Sequence, residues 1–190
     1  MRKYLLHVLI ISFVFLLAPT VHVATYAGEI EDAKEEVRKN PDDALAHFNL
    51  GVAYENLGMY KEAIEPYKQA IKNNPDYEDA AYRLGFIYGK LRMWKEVIEF
   101  TKQEIRNNPD LPEADLAGLG IAYGSLGMHK ESIEPFKQAI RIDPDNVAAH
   151  TALGIAYYSL GDKSSALEQY KILKKLDAEM ADLLFNLIYK

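Results

Sequence analysis

A dipeptide that returns at a nearly constant interval limits this chain to a small set of folds. Leu-Gly, with a tyrosine three residues after the glycine, occurs four times along the 190 residues, with its glycines at Gly51, Gly85, Gly120 and Gly154. The successive spacings are 34, 35 and 34 residues. Self-similarity at a period of about 20 to 50 residues is typical of repeat architectures, in which each unit packs mainly on its neighbours.

Each period contains two segments with helical patterning. In the first period Leu45, Phe48 and Val52 recur near helical spacing, and a second apolar stripe follows Gly58. The Pro-Asp pair that begins at Pro75 ends the second stripe, because proline cannot continue a helix and disfavours helical conformation in the residue before it. The pattern therefore predicts an all-α chain of helical hairpins joined by glycine turns and Pro-Asp turns.

The chain resembles the tetratricopeptide repeat (TPR) family in these columns. Small residues also stand where the family's two helices cross, at Gly51, Ala63 and Ala70 in the first unit. The resemblance implies an α-solenoid of four units within residues 44–180, at 44–77, 78–111, 113–146 and 147–180. Two terminal capping elements are expected: a half-repeat at 28–43, whose apolar face is Ile30, Ala33 and Val37, and a C-terminal helix at 181–190.

The second unit departs from the family pattern. Arg92 stands where the other units have a turn glycine, and Glu104 occupies a column where alanine is expected. Because a buried, unpaired carboxylate is costly, we expect this helix to shift and expose Glu104. The turn at 109–112 carries one extra residue, which predicts a looser junction between units two and three.

Two prolines fall inside predicted second helices, Pro66 in unit one and Pro135 in unit three. Proline in a helix interior removes a backbone hydrogen bond and costs about 3 kcal/mol. We therefore expect both helices to bend outward or to begin late, as structural features rather than functional hinges.

The first 27 residues have the order of a secretory signal. Arg2 and Lys3 precede an apolar run over 5–18, and Pro19 and small residues follow as far as Ala27. This order predicts export with cleavage after Ala27. An uncleaved membrane anchor is the alternative, although the run is shorter than the roughly 20 residues that span a bilayer. The short signal and the absence of Asn-x-Ser/Thr favour the bacterial periplasm or, with an anchor, the inner membrane.

Composition argues against several kinds of chemistry. The chain has no cysteine, so disulfides, thiolate catalysis and cysteine-based zinc sites are absent. Its net charge of −6 opposes nucleic acid binding, which requires a basic surface. His47 and His150 share one column in different units and are expected to be partly buried packing residues rather than metal ligands. We predict no catalytic set, no metal site and no cofactor.

The first helices of a helical-repeat array usually line its concave binding surface. By the resemblance, a partner-binding groove is predicted there, lined by Phe48, Val52, Glu55, Asn56, Tyr82, Phe86, Lys90, Ile121, Ser125, Thr151, Ile155 and Tyr158. Some family members clamp acidic peptide tails with Lys, Asn and Arg, but Phe48 and Val52 replace the first two of these residues, so the clamp is missing. The groove suits an apolar or aromatic segment, as an extended peptide or a helix. The alternative is that Val52, Phe86, Ile121 and Ile155 pack between neighbouring first helices.

These observations predict a non-catalytic, exported scaffold that binds a protein partner through its groove. A membrane-anchored assembly factor is the alternative if the N-terminal segment is retained. An RNA-binding helical repeat and a helical-repeat enzyme are further alternatives, opposed by the acidic charge and by the lack of a catalytic set. The inference from repeat to binding is an analogy at the level of the fold.

The C-terminal segment is a second candidate surface. Residues 183–189 contain more apolar side chains than one buried stripe requires. Leu184, Leu187 and Ile188 can cover the last unit, which would leave Phe185 and Tyr189 pointing outward to support a homodimer. A well-buried capping helix is the alternative.

Overall fold

The computed structural model describes residues 28–107 and 113–189. The predicted signal at 1–27 and the turn at 109–112 lie outside the described residues. Within them, all regular secondary structure is helical: α1 (28–39), α2 (Ala44–Asn56), α3 (Tyr60–Asn73), α4 (Glu78–Lys90), α5 (Trp94–Asn107), α6 (Glu113–Ser125), α7 (His129–Ile142), α8 (Val147–Ser159), α9 (Lys163–Leu176) and α10 (Ala178–Tyr189). Over the same residues, each helix is too short or too polar to cross a membrane.

The chain divides into two compact units, and the first ends at Ile87. It contains α1, the α2–α3 hairpin and most of α4. Ile30 of α1 is buried with Leu50 and Ala53 of α2, and Ala33 and Val37 pack against this cluster. These residues of α1 form the apolar face that the sequence predicts.

Glycine permits the close crossing of α2 and α3. A Cβ atom added to Gly51 would lie 2.6 Å from Cε1 of Tyr67, whose ring is fully buried. The same relation recurs in the second unit, where a Cβ at Gly120 of α6 would lie 2.6 Å from Cε1 of Phe136 in α7. Real Cβ contacts are longer, so only glycine fits these two positions without moving the ring. Gly51 and Gly120 are thus explained by an aromatic ring packed directly on the helix backbone.

The second unit begins at Tyr88 and contains the rest of the chain. The helices α6 and α7 pack together, as do α8 and α9, and α10 contacts both α8 and α9. Ala181, Leu184 and Ile188 of α10 are buried with Ala166 and Leu173 of α9. Leu184 also lies over the backbone of Gly154 in α8, where an added Cβ would approach its Cδ2 atom within 2.5 Å. The helix α10 therefore covers the last hairpin as a cap.

Three turn glycines have left-handed backbone conformation, with φ of 70° at Gly58, 74° at Gly127 and 80° at Gly161. Arg92 occupies the equivalent turn with φ 55°. Its amide donates to the carbonyl oxygen of Gly89 (3.0 Å), and the amide of Met93 donates to that of Tyr88 (2.9 Å). These two bonds define a Schellman helix end, so Arg92 adopts a conformation that normally selects glycine.

The two internal prolines do not delay their helices. α3 begins at Tyr60, six residues before Pro66, and α7 begins at His129, six residues before Pro135. The late start is thus not observed, and the outward bend stays a prediction. Both proline rings are buried, so apolar burial offsets part of the cost of the missing backbone hydrogen bond.

Glu104 of α5 is half-buried, so the expectation that it becomes exposed is wrong. Burial raises its pKa, and the nearby carboxylate of Asp115 in α6 raises it further. Burial also raises the pKa of Asp115. The carboxyl groups of Glu104 and Asp115 therefore lie near each other where α5 packs on α6, and Glu104 does not turn into solvent.

His47 and His150 are held by the Pro-Asp turns. His47 is half-buried, and its Nε2 donates to the carbonyl oxygen of Pro41 at 2.8 Å. His150 is 4% exposed, and its Nε2 lies 2.9 Å from the carbonyl oxygen of Pro144. Its Nδ1 lies 2.8 Å from Oε1 of Gln169 in α9. His150 is thus more deeply buried than the sequence predicts, and both rings tie a first helix to the turn before it.

Candidate binding surface

In the first unit, the predicted groove residues fall into two groups by exposure. Tyr82 and Phe86 of α4 are 71% and 49% exposed, and Asn56 at the end of α2 is exposed. Val52 and Phe48 of α2 are half-buried. Exposed aromatic rings on a helix are costly to leave in water, so Tyr82 and Phe86 are the candidates for partner contact in this unit.

Phe48 takes part in internal packing. Its ring centroid lies 5.7 Å from that of Tyr67 in α3 and 4.9 Å from that of Tyr77, which precedes α4. The guanidinium carbon of Arg83 in α4 lies 5.6 Å from the Phe48 ring centroid. Phe48 therefore connects α2, α3 and α4, and a change at this position would disturb the fold as well as any binding surface.

Glu55 accepts two hydrogen bonds, from helices on either side. The Tyr67 hydroxyl donates to its Oε2 at 2.7 Å, and Nη1 of Arg83 donates to the same oxygen at 2.9 Å. The Glu55 side chain is 17% exposed and that of Arg83 39%. Burial and the bond to Glu55 both raise the pKa of Tyr67. Glu55, predicted as a groove residue, therefore joins α2 to α3 and α4 within the first unit.

In the second unit, the predicted residues lie on α4, α6 and α8, and α6 contacts α8. Ile121 and Ser125 of α6 are exposed, as are Ile155 of α8 and Lys90 at the end of α4. Two predicted residues of α8 make contacts within the fold. The hydroxyl of Thr151 donates to the carbonyl oxygen of Val147 at 2.8 Å, and Tyr158 packs against the core beneath α10.

One column of the repeat stands out by its exposure. Val52, Phe86, Ile121 and Ile155 follow their Leu-Gly glycine by one residue in the four units. Val52 is half-buried, but Phe86, Ile121 and Ile155 are 49%, 47% and 41% exposed. In the second unit, packing of α6 with α8 thus leaves Ile121 and Ile155 nearly half exposed. This set of four residues is called the apolar column below.

A column of lysines was not predicted from the sequence. Lysines recur at 34, 68, 102, 137 and 171, with spacings of 34, 34, 35 and 34 residues. Nζ of Lys102 in α5 lies 5.6 Å from the ring centroid of Tyr123 in α6, and Nζ of Lys137 in α7 lies 5.9 Å from that of Tyr157 in α8. These two contacts join α5 to α6 and α7 to α8. The same period that revealed Leu-Gly would have revealed this column.

The described residues contain no cluster of three or more histidine or acidic side chains that could hold a metal ion. They also contain no buried side-chain nitrogen or oxygen that lacks a hydrogen bond. Some of the predicted groove residues are thus exposed side chains on first helices, whereas others make contacts inside the fold.

The fold places the chain in the class of all-α proteins built from tandem TPR hairpins, an α-solenoid class. Family models for the tetratricopeptide repeat match residues 44–77 and 120–161. The chain therefore contains tetratricopeptide repeats within these residues. No match to a curated protein was found.

Several solved structures share the fold. The structure of MamA from residue 41 onward from Desulfovibrio magneticus RS-1 has a TM-score of 0.67 at 22% identity, covering 86% of this chain and 92% of MamA. Another MamA structure has a TM-score of 0.70 at 22% identity, covering 90% and 92%. YrrB, described as a TPR protein with an unusual peptide-binding site, has a TM-score of 0.69 at 22% identity, covering 90% and 87%. At this level of identity the similarity establishes the fold alone.

Proposed function

We propose that this protein is a non-catalytic scaffold that binds a protein partner through the exposed faces of its first helices. The observation that carries the proposal lies in the second unit, where Ile121 and Ile155 of the apolar column remain 47% and 41% exposed at equivalent repeat positions. Scattered apolar residues on a surface are ordinary, but a position that stays apolar in every repeat is the pattern expected of a binding surface.

The chemistry of the proposed surface defines the kind of partner. In the second unit, Ile121 and Ile155 are accompanied on the same helices by the exposed hydroxyl side chains of Ser125 and Ser159. Charged residues are absent from these positions, so a highly acidic or basic peptide gains little there. The surface fits a peptide or helix with apolar anchors at regular spacing, flanked by backbone or polar groups that the serines can reach. The similarity to YrrB supports a peptide as the partner.

A peptide selected from a displayed library against the full chain provides the probe for a test. Ile121→Glu and Ile155→Glu are each expected to weaken binding of that peptide at least tenfold, because a carboxylate replaces an apolar contact. Ile142→Glu is the matched control, since Ile142 is 56% exposed at the end of α7 and lies outside the apolar column. Equal weakening in all three variants, or in none, would contradict the proposal.

Export is part of the same proposal, and it rests on the sequence of the first 27 residues. We expect the protein to work in the bacterial periplasm after cleavage, and the inner membrane is the alternative if cleavage does not occur. N-terminal sequencing of the protein from the cell envelope would distinguish them, with a new terminus at Gly28 in the first case. Recovery of the chain in the cytoplasm with its first residues intact would refute export.

A further inference from the structure

The helix α10 leaves an apolar face uncovered. It buries Ala181, Leu184 and Ile188 against the last hairpin. Leu183, Phe185, Leu187 and Tyr189 are 56%, 40%, 37% and 61% exposed. The expectation that Leu187 helps to cover the last unit is therefore wrong, whereas Phe185 and Tyr189 do point outward. Terminal helices of repeat proteins normally present a polar outer face for solubility.

We propose that this face, formed by Leu183, Asn186 and Tyr189 with Phe185 and Leu187 at its two edges, binds the same face of a second copy of the chain in an antiparallel, two-fold arrangement. The proposal rests on α10 and does not depend on the apolar column. It names a surface and a partner beyond the binding function proposed above.

The exposed apolar area suits a weak but specific dimer. With areas of roughly 150–250 Å² for large side chains, the exposed parts of the four apolar residues amount to about 350 Å². Standard interfaces bury about 800 Å² on each partner, a little over half of it apolar. The α10 face therefore supplies most of the apolar core that such an interface needs. We expect a dissociation constant in the micromolar range, because small interfaces of this kind bind weakly.

The aromatic residues on this side of the unit pack against one another. The ring of Tyr170 in α9 lies 5.3 Å from that of Phe185, which lies 4.5 Å from that of Tyr189. The three rings form a continuous row from α9 onto α10. A row that is arranged before association loses little conformational freedom on binding, which favours recognition of a second helix.

Charge decides the direction of pairing. The segment 183–189 contains no Asp, Glu, Lys or Arg, whereas the exposed Glu179 and Asp182 lie toward the amino end of α10. A parallel pair would place these carboxylates beside their own copies, which like-charge repulsion opposes. An antiparallel pair keeps them at opposite ends of the interface and is favoured for that reason.

Asn186 defines the register. It lies two residues from both Leu184 and Ile188, which places it on the opposite side of the helix from the buried stripe. Leu183 and Tyr189 are three residues away on either side and share its face. In an antiparallel pair centred on Asn186, its amide meets its own copy, and Leu183 meets Tyr189 of the second copy. A single polar residue within an apolar helix interface is an established way to fix register.

Light scattering with size-exclusion chromatography on the full chain tests the proposal. The wild type is expected at twice the mass of one chain at tens of micromolar and above. Combining Leu183→Glu with Tyr189→Glu is expected to raise the dissociation constant at least tenfold, with helical content unchanged by circular dichroism. Leu160→Glu, at a 48% exposed position in the turn before α9, is the control and should remain dimeric. A monomer at every concentration, or a dimer unaffected by the double variant, overturns the proposal.

Disulfide crosslinking tests the register, and the chain has no native cysteine that would compete with an introduced one. Under mild oxidation, Asn186→Cys is expected to crosslink to itself, whereas Asp182→Cys is not. A mixture of Leu183→Cys and Tyr189→Cys is expected to form the mixed dimer in preference to either self-dimer. Equal crosslinking of Asp182→Cys and Asn186→Cys would overturn the antiparallel pairing. Binding of α10 to a different protein by a strictly monomeric chain would overturn the assignment of the partner.

Discussion

Arg92 is the position at which local structure and residue type disagree, and Arg92→Gly is predicted to stabilise the protein. Its φ of 55° lies in the left-handed region that Gly58, Gly127 and Gly161 occupy in the other turns. A residue with a Cβ loses about 1–2 kcal/mol in this conformation. Replacing arginine by glycine removes this cost, but the unfolded chain with glycine is more flexible, which offsets about 0.4–1 kcal/mol of the stabilisation. The expected net stabilisation is about 0.5–1 kcal/mol.

Urea denaturation followed by circular dichroism measures this difference, and a thermal midpoint increase of about 1–4 °C should accompany it. Gly127→Ala is the converse control, since Gly127 has φ 74° with no atom within 4 Å of an added Cβ. That variant should lose a similar amount of stability through backbone conformation alone. If Arg92→Gly left stability unchanged or lowered it while Gly127→Ala had the expected effect, the left-handed conformation assigned to Arg92 would be refuted.

Three further predictions concern packing, a polar network and pH. Gly120→Ala should cost about 1–3 kcal/mol of stability because its Cβ would meet the Phe136 ring at 2.6 Å. Gly124→Ala in the same helix meets nothing within 4 Å and should stabilise the protein by up to about 1 kcal/mol. Urea titration of both variants would refute this prediction if the signs were reversed. Arg83→Met should cost about 1 kcal/mol by removing one of two donors to Glu55, whose pair with Arg83 is partly exposed, and a double-mutant cycle with Glu55→Gln should give a coupling of that order rather than zero. Burial raises the folded-state pKa of Asp115, so its contribution to stability is full below its ordinary pKa of 3.8 and is lost as pH rises through the folded-state value. Asp115→Asn should therefore stabilise the protein at pH 7, by a margin that shrinks toward pH 4. A stabilisation independent of pH would contradict the raised pKa of Asp115.

The repeat architecture was predictable because its signals are periodic and steric. Glycines of the Leu-Gly column mark places where a side chain packs directly on helix backbone, as Tyr67 does at Gly51 and Leu184 at Gly154. The substitution of Arg92 for a turn glycine was also visible in the sequence. Such positions admit few residue types, so the sequence alone identifies them. The outward position of Phe185 and Tyr189 followed from counting apolar residues against the width of one buried stripe.

The remaining features depend on tertiary contacts that periodicity does not report. Pro66 continues a helix because its ring is buried in the hairpin, which intrinsic propensity alone does not predict. Glu104 stays half-buried next to Asp115 because the pairing of α5 and α6 decides its surroundings. Phe48 and Glu55 could be assigned to a first-helix face by position, but their contacts with Tyr67 and Arg83 became visible only in three dimensions.

The central claim, that a partner binds across the exposed faces of the first helices, is tested most directly by hydrogen exchange on the full chain with and without the selected peptide. The account predicts slower amide exchange on binding in α6 and α8, which carry Ile121 and Ile155, and unchanged exchange in α7 and α9. This pattern should vanish in Ile155→Glu and persist in Ile142→Glu. Protection confined to the second helices, or present equally in both variants, would contradict the account.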